Sequence, residues 1–198
     1  MTRRRNVEAR ERILRTAYGL FSSEGYEAVS MERVAKAAGL KKSIVFYYYP
    51  SKEAMGAAVV DAAAQRHAAG MRALFANDMR DPVVVVRALF EYGANGKKGE
   101  CSRGCFIGRM GQELNECDAQ MRGRIASCMT EWREDVAAYL DVWRRRGYFR
   151  PGFKPKEAAD GILALYEGGL LIARIVGDAD PIDHARSTAV MIVVSWKG

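Results

Sequence analysis

The sequence predicts an all-α protein: an N-terminal three-helix helix-turn-helix head followed by a C-terminal helical bundle, about nine helices in all. Three observations carry this prediction. Apolar residues recur with 3.6-residue periodicity nearly throughout. Gly, Pro, Ser and Asn punctuate the chain where helices need caps and stops. The two β-branched runs, Val83 to Val86 and Met191 to Val194, lie inside longer segments of helical period. With 49% hydrophobic and 28% charged residues over 198 positions, the composition is that of a globular chain with a proper core. Disorder, collagen-like repeats and a disulfide-dense scaffold are excluded.

Asn6 is placed to cap a first helix whose apolar face is Ile13, Leu14, Ala17, Leu20 and Phe21, with Gly25 just beyond its end. Ser30 caps a short second helix that buries Met31, Val34 and Ala35 and ends at Gly39. A third short helix runs from about Lys41 to Tyr48. Pro50 stops it, because proline disfavours helical geometry at the residue before it. Val45 and Tyr49, spaced i, i+4, form its inward face. Ser51 caps a long fourth helix to about Asn77, and Asp81-Pro82 opens a fifth over 82–96. Gly96-Lys97-Lys98-Gly99 reads as a loop. Helices follow at about 104–114, 118–146 and 156–177, and Asp180-Pro181 opens the last, to Trp196. The expected domains are residues 1–50, a DNA-binding head, and 51–198, an effector-binding and dimerisation body.

Charge supports that division. Residues 1–55 hold 11 Lys/Arg against 6 Asp/Glu, whereas the remaining 143 hold 20 against 18. Most of the net +7 thus sits on the head, as expected of a polyanion-reading segment. No membrane association is expected. The longest apolar run, Gly161 to Gly177, is broken by Glu167 and Arg174 and falls short of the roughly 20 apolar residues a span needs. Arg3-Arg4-Arg5 is followed by a charged amphipathic stretch rather than the apolar core of an export signal. A cytoplasmic protein with its four cysteines reduced is the expectation.

Two helices of about eight residues joined by a glycine turn bury little surface alone and need the first helix beneath them. That is the helix-turn-helix arrangement, in which the second helix of the pair enters the major groove. Here that helix reads Lys41-Lys42-Ser43-Ile44-Val45-Phe46-Tyr47-Tyr48-Tyr49. Lysines and tyrosine hydroxyls suit phosphates, and ring faces suit stacking. The helix starts at Ser30 and Ser51-Lys52 add N–H groups that attract anions.

The stretch Val29-Ser30-Met31-Glu32-Arg33-Val34-Ala35-Lys36-Ala37-Ala38-Gly39-Leu40, with Phe46-Tyr47-Tyr48-Tyr49-Pro50-Ser51-Lys52-Glu53-Ala54-Met55, resembles the signature of the tetracycline-repressor (TetR) family. The resemblance implies phosphate contacts at Ser30, Tyr47, Tyr48 and Lys52, and base-reading contacts at Lys42, Ser43, Ile44 and Phe46. It also implies a homodimer built on the last two long helices, about 156–177 and 181–196, and a small-molecule site in the bundle. Three positions depart from the family pattern. Lys41 replaces the usual capping serine, Ser43 stands where glycine is common, and Phe46 lacks the usual tyrosine hydroxyl.

In the body, residues 158–176 are apolar nearly all round (Ile162, Leu163, Leu170, Leu171, Ile172, Ile175) and need cover on two sides. A second copy of the chain is the expected cover, with Gly161, Gly168 and Gly169 permitting close helix approach; a central helix in a monomer is the alternative. Cys105 follows Gly104 at a helix start, with Arg103 and Arg109 near in sequence, a setting that favours thiolate. The segment from Cys105 to Glu113-Leu114 resembles the family branch that includes the N-ethylmaleimide-responsive repressor, which implies an electrophile sensor at Cys105; Arg109 is placed with it only as a cation near in sequence. A small packed core residue is the competing reading for Cys105. Cys101-x₃-Cys105 lacks a second ligand pair and the histidines are only His67 and His184, so no metal and no cofactor are expected. Cys117 and Cys128 read as structural. Phe75, Phe90, Phe106, Met110, Trp132, Tyr139, Trp143 and Tyr166 are candidates for core or for an effector pocket.

The function expected from the sequence is therefore a dimeric transcriptional regulator, a repressor released from a pseudo-palindromic double-stranded operator by a small molecule or electrophile. Two other classes compete: a helical small-molecule-binding or interaction module without DNA binding, and an enzyme. The second lacks any Ser/His/Asp set, phosphate loop or metal set, so no catalytic residue is assigned.

Overall fold

The computed structural model of the chain describes residues 2–75, 80–94, 104–113 and 119–198. Among these residues it has nine helices and no strand: α1 (Thr2–Glu24), α2 (Met31–Ala37), α3 (Lys42–Tyr48), α4 (Lys52–Phe75), α5 (Pro82–Ala94), α6 (Phe106–Glu113), α7 (Ala119–Arg145), α8 (Pro155–Val176) and α9 (Asp180–Ser195). The loop expected at 96–99, together with Asn77, Cys101, Arg103, Leu114 and Cys117, lies outside the described residues. Both β-branched runs are helical, within α5 and α9.

The caps follow the local chemistry. At Ser30 the backbone is extended (φ −89°, ψ 161°) and the hydroxyl accepts the Arg33 N–H at 3.1 Å. Past the end of α2, Gly39 N–H donates to Lys36 C=O at 3.2 Å and Leu40 N–H to Ala35 C=O at 3.0 Å. This paired closure needs a left-handed residue, and Gly39 has φ +63°. The Ser51 hydroxyl accepts the Ala54 N–H at 3.1 Å at the head of α4, and Asp81 accepts the Val83 N–H at 2.8 Å ahead of Pro82. Lys41 precedes α3 without a side-chain cap. One boundary differs from expectation: α1 begins at Thr2, and Asn6 lies exposed inside it. No Gly or Pro stands before Asn6 to interrupt the helix, and one exposed Asn lowers helix propensity only slightly.

The chain groups into two compact units. The first comprises residues 1–65 and 109–126. In it α1 packs on α2 and α2 on α3, and Ile13, Ala17, Phe21, Val34, Ala35, Val45 and Tyr49 are buried. The second comprises residues 66–108 and 127–198. Here α9 packs on both α8 and α5, over a core that includes Leu89, Phe90, Trp132, Leu140, Ile162, Tyr166, Leu170, Ala189 and Val193.

Two glycines of α8 serve this intrachain packing. A Cβ at Gly169 would lie 2.8 Å from the Ala185 Cβ, and one at Gly161 would lie 3.3 Å from Ile192 Cδ1, so both permit α8 to approach α9 of the same chain. Gly168 faces nothing within 4 Å. The uncovered apolar surface is instead a stripe of Leu171, Ile172, Ile175 and Val176 on α8, with Met191 and Val194 on α9. No described helix is long and apolar enough to cross a membrane.

Candidate nucleic-acid interface and effector site

The recognition helix α3 is anchored from below. Val45 is fully buried and Tyr49, just past its end, is 4% exposed, as their i, i+4 spacing predicts. Rotation about the helix axis then turns the opposite face outward. Lys41, Lys42, Ser43, Phe46 and Tyr47 are exposed, Ile44 and Tyr48 half-buried. Tyr47, 78% exposed, projects furthest from the core and meets the Tyr48 ring edge-on at 5.1 Å. An apolar ring pair held in water at the tip of a basic helix offers stacking surface and one hydroxyl per ring to a partner.

The lysines are not idle. Lys42 Nζ pairs with Glu32 of α2 and lies 5.3 Å from the Phe46 ring centroid. The hydrogen bond from Lys42, with the backbone N–H bond behind it, holds the Glu32 carboxyl below the usual glutamate range. Lys52 donates to Glu27 C=O at 3.0 Å, lies 3.7 Å from the Glu27 carboxylate and sits over the Tyr26 ring at 4.6 Å. Ser30 spends its hydroxyl on the cap. An exposed ion pair of this sort is worth little in water, so a phosphate can replace the carboxylate at small cost. The nine positions named from the sequence therefore divide: five gather on one exposed face of α3, Ile44 and Tyr48 flank it, and Ser30 and Lys52 stand at neighbouring helix starts.

Cys105 and Arg109, expected side by side, part company. Arg109 is 9% exposed and belongs to the first unit, where Nη1 donates to Ser22 C=O at 2.5 Å and Nη2 to Glu113 at 3.2 Å. Glu113 in turn accepts the Tyr26 N–H at 2.5 Å. This Ser22–Arg109–Glu113–Tyr26 join was missed in the sequence, where the i, i+4 spacing of Arg109 and Glu113 was its single signal.

Cys105 belongs to the second unit and acts as the cap of α6, its Sγ accepting the Gly108 N–H at 3.5 Å. The expectation of a thiolate is not met. Burial and the facing Glu167 carboxyl push the thiol well above the ordinary cysteine range. The cation expected beside it is turned away, and a carboxyl stands there instead, so desolvation outweighs the helix N-terminus. Glu167 is itself pushed up by burial, against a smaller opposing effect of its hydrogen bond with Cys105. Its Oε1 is buried without a hydrogen-bond partner. Glu167 too was missed; its signal was an acid in the middle of an apolar helix.

Of the aromatic candidates in the second unit, Tyr166 lies 5.5 Å from Phe90 and 4.9 Å from Trp132, all edge-to-face, and His67 meets Trp132 at 4.6 Å. Burial pushes the His67 pKa down, so its ring is neutral. Phe75 and Tyr139 pair separately at 5.2 Å, and Trp143 meets Tyr148. Met110 belongs to the first unit. Cys128 is buried, and no three described His, Cys, Asp or Glu side chains gather as a metal site.

Comparison with known proteins agrees with this geometry. The family model for bacterial regulatory proteins of the tetR family matches residues 13–59, and that for the tetracyclin repressor-like C-terminal domain matches residues 82–189. The transcriptional regulator AcuR of Cereibacter sphaeroides is 22% identical, over 88% of this chain and 80% of that one. A TetR transcriptional regulator from Chloroflexus aurantiacus, solved by crystallography, is 26% identical and superposes with a TM-score of 0.84 over 98% of both chains. Reduced NemR of Escherichia coli shares the fold, with a TM-score of 0.82 at 20% identity over 92% of this chain and 95% of that one. Two family models in the order head then body, on a helix-turn-helix with its recognition face turned outward, establish that the chain belongs to the TetR family of DNA-binding transcriptional regulators.

Proposed function

We propose that the protein is a homodimeric repressor, acting in the cytoplasm, that leaves a pseudo-palindromic operator when a small molecule occupies its second unit. The observation that carries this reading is the exposed ridge of Lys41, Lys42, Ser43, Phe46 and Tyr47 over a buried Val45. In this reading residues 1–50 read DNA and 51–198 serve effector binding and dimerisation. Lys42, Ser43, Ile44 and Phe46 meet base edges, while Ser30, Lys41, Tyr47, Tyr48 and Lys52 meet phosphates. The apolar stripe Leu171, Ile172, Ile175 and Val176, continued by Met191 and Val194, is the surface that a second copy covers. Two heads about one helical turn apart, roughly 34–36 Å, then engage successive major grooves.

Helix α6 supports the coupling. Its start, with Cys105 beside Glu167, lies in the effector-binding unit, and Arg109 and Glu113 further along tie to Ser22 and Tyr26 of the head. Cys105 contributes to the effector site as a protonated, half-buried thiol. An effector that prefers one placement of α6 shifts the population between DNA-competent and released states.

The test is a gel-retardation titration with genomic fragments at two salt concentrations, beside sedimentation of the free protein. A complex weakened by salt and a dimer lost on Ile175→Asp support the reading. Absence of any complex at low salt refutes it and leaves a helical small-molecule-binding module.

A further inference from the structure

We propose that the interior of the second unit, where Glu167 follows Tyr166 of the Trp132–Tyr166–Phe90 ring cluster on α8, is a receptor for an organic cation with an aromatic or heteroaromatic body. The proposal rests on the reading of the protein as effector-responsive and names the chemical class of that effector.

Glu167 is the centre of the site. It stands half-buried in α8, a helix whose buried residues are Ala158, Ala159, Ile162, Tyr166, Gly169, Leu170 and Ala173. No described Lys or Arg pairs with it, and among the described residues its one polar partner is the Cys105 thiol. Oε1 has no partner at all, and Trp132, 3% exposed, likewise holds its indole N–H without one. A buried acceptor and a buried donor left unmatched are costly, and native proteins retain such groups where a ligand or water completes them. The carboxyl is also held in place from beneath. A Cβ on Gly108 would collide with Glu167 Oε2 and stand 3.3 Å from Cδ, so the absence of a side chain at 108 is what lets the acid sit there.

The surroundings select the sign of the ligand. Among the described residues, the titratable groups that interact with Glu167 are neutral: Cys105 before α6, and Cys128 of α7, whose thiol is itself pushed up by burial and then by Glu131 and Glu167. An anion finds no described cation acting on Glu167. A neutral ligand leaves the carboxyl's electrostatic capacity unused, whereas a cation restores its ionised form and gains the π faces of nearby rings. Cys128 and Trp132 are four residues apart on α7, and Trp132 meets Tyr166, the neighbour of Glu167, at 4.9 Å. The carboxyl and the rings therefore belong to one contiguous region. A heteroatom in the ligand's ring would serve the free Trp132 N–H.

The experiment is calorimetric titration of the full-length protein, without DNA, with benzyltrimethylammonium and with neopentylbenzene, its uncharged carbon counterpart. Wild type is expected to prefer the cation by about tenfold or more, corresponding to roughly 1.4 kcal/mol. Glu167→Gln is expected to bring that preference to about twofold or below. Gly108→Ala, which displaces the carboxyl without removing it, gives an independent reading should the Gln variant fold poorly, and is expected to weaken the cation alone. Equal binding of the two probes, no binding of the cation, or a preference that survives both variants overturns the proposal. Cation binding that does not release operator DNA leaves the receptor standing and refutes the effector reading; operator release by another molecule, with no cation binding, does the reverse.

Discussion

Replacing Arg109 by Met is expected to destabilise the first unit by about 3 kcal/mol. The magnitude comes from two hydrogen bonds of the guanidinium, to Ser22 C=O at 2.5 Å and to Glu113 at 3.2 Å. A hydrogen bond to a charged group contributes roughly 1.5–3 kcal/mol, and the Arg109 side chain is only 10% exposed, so water does not replace what is lost. Methionine keeps most of the stem's packing, which confines the effect to the polar head. Glu113 keeps the Tyr26 N–H at 2.5 Å, so its carboxylate is not wholly stranded and the loss stays near the lower end of the sum. For a chain of this size about 3 kcal/mol corresponds to a fall in Tm of about 6–12 °C. Helical circular dichroism followed through thermal unfolding measures it. Arg109→Lys should restore little, because one ammonium cannot reproduce the guanidinium fork. In a double-mutant cycle with Glu113→Gln the two losses should be less than additive, since each removes the same bond. A loss below about 1 kcal/mol, or strict additivity, would refute the view that this join secures the end of α1 to α6.

Cys105→Ser should leave stability unchanged or raise it by about 0.5–1 kcal/mol, since an oxygen caps α6 better than the sulfur does; a clear loss of Tm would show that packing rather than capping holds that site. Lys52→Ala is expected to weaken all DNA sequences alike and to flatten the salt dependence by about one contact, as read by gel retardation; an altered sequence preference would contradict a phosphate role. Stability should respond to pH at two half-buried, desolvated groups, with opposite signs. The unfolded chain ionises Glu167 above the ordinary value of 4.5 while the folded chain holds the proton, so wild type loses stability relative to Glu167→Gln as pH rises from there, until the folded group ionises too. The unfolded chain protonates His67 below 6.5 while the folded ring stays neutral, so wild type loses stability relative to His67→Gln as pH falls from 6.5. Parallel Tm–pH curves for variant and wild type would refute either assignment.

Helix order, the caps at Ser30, Ser51 and Asp81 and the outward face of α3 were legible in the sequence because each depends on residues within a turn or two of one another. Ser30 reaches Arg33, Asp81 reaches Val83, and Val45 and Tyr49 share a face by helical spacing alone. The family signature carried the DNA-binding function for the same reason, being one continuous stretch of such local features. What the tertiary structure decided is every choice of partner between helices. Arg109 and Ser22 are 87 residues apart, as are Glu113 and Tyr26, and no pattern along the chain says which register brings them together. The charge at Cys105 turned on that same register. The arginine four residues away faces the head, while a glutamate from α8 faces the thiol, and in a desolvated interior the facing group outweighs the one near in sequence. Gly161 and Gly169 were recognisable as sites of close approach, but only the packed helices show that α9 of the same chain is what approaches.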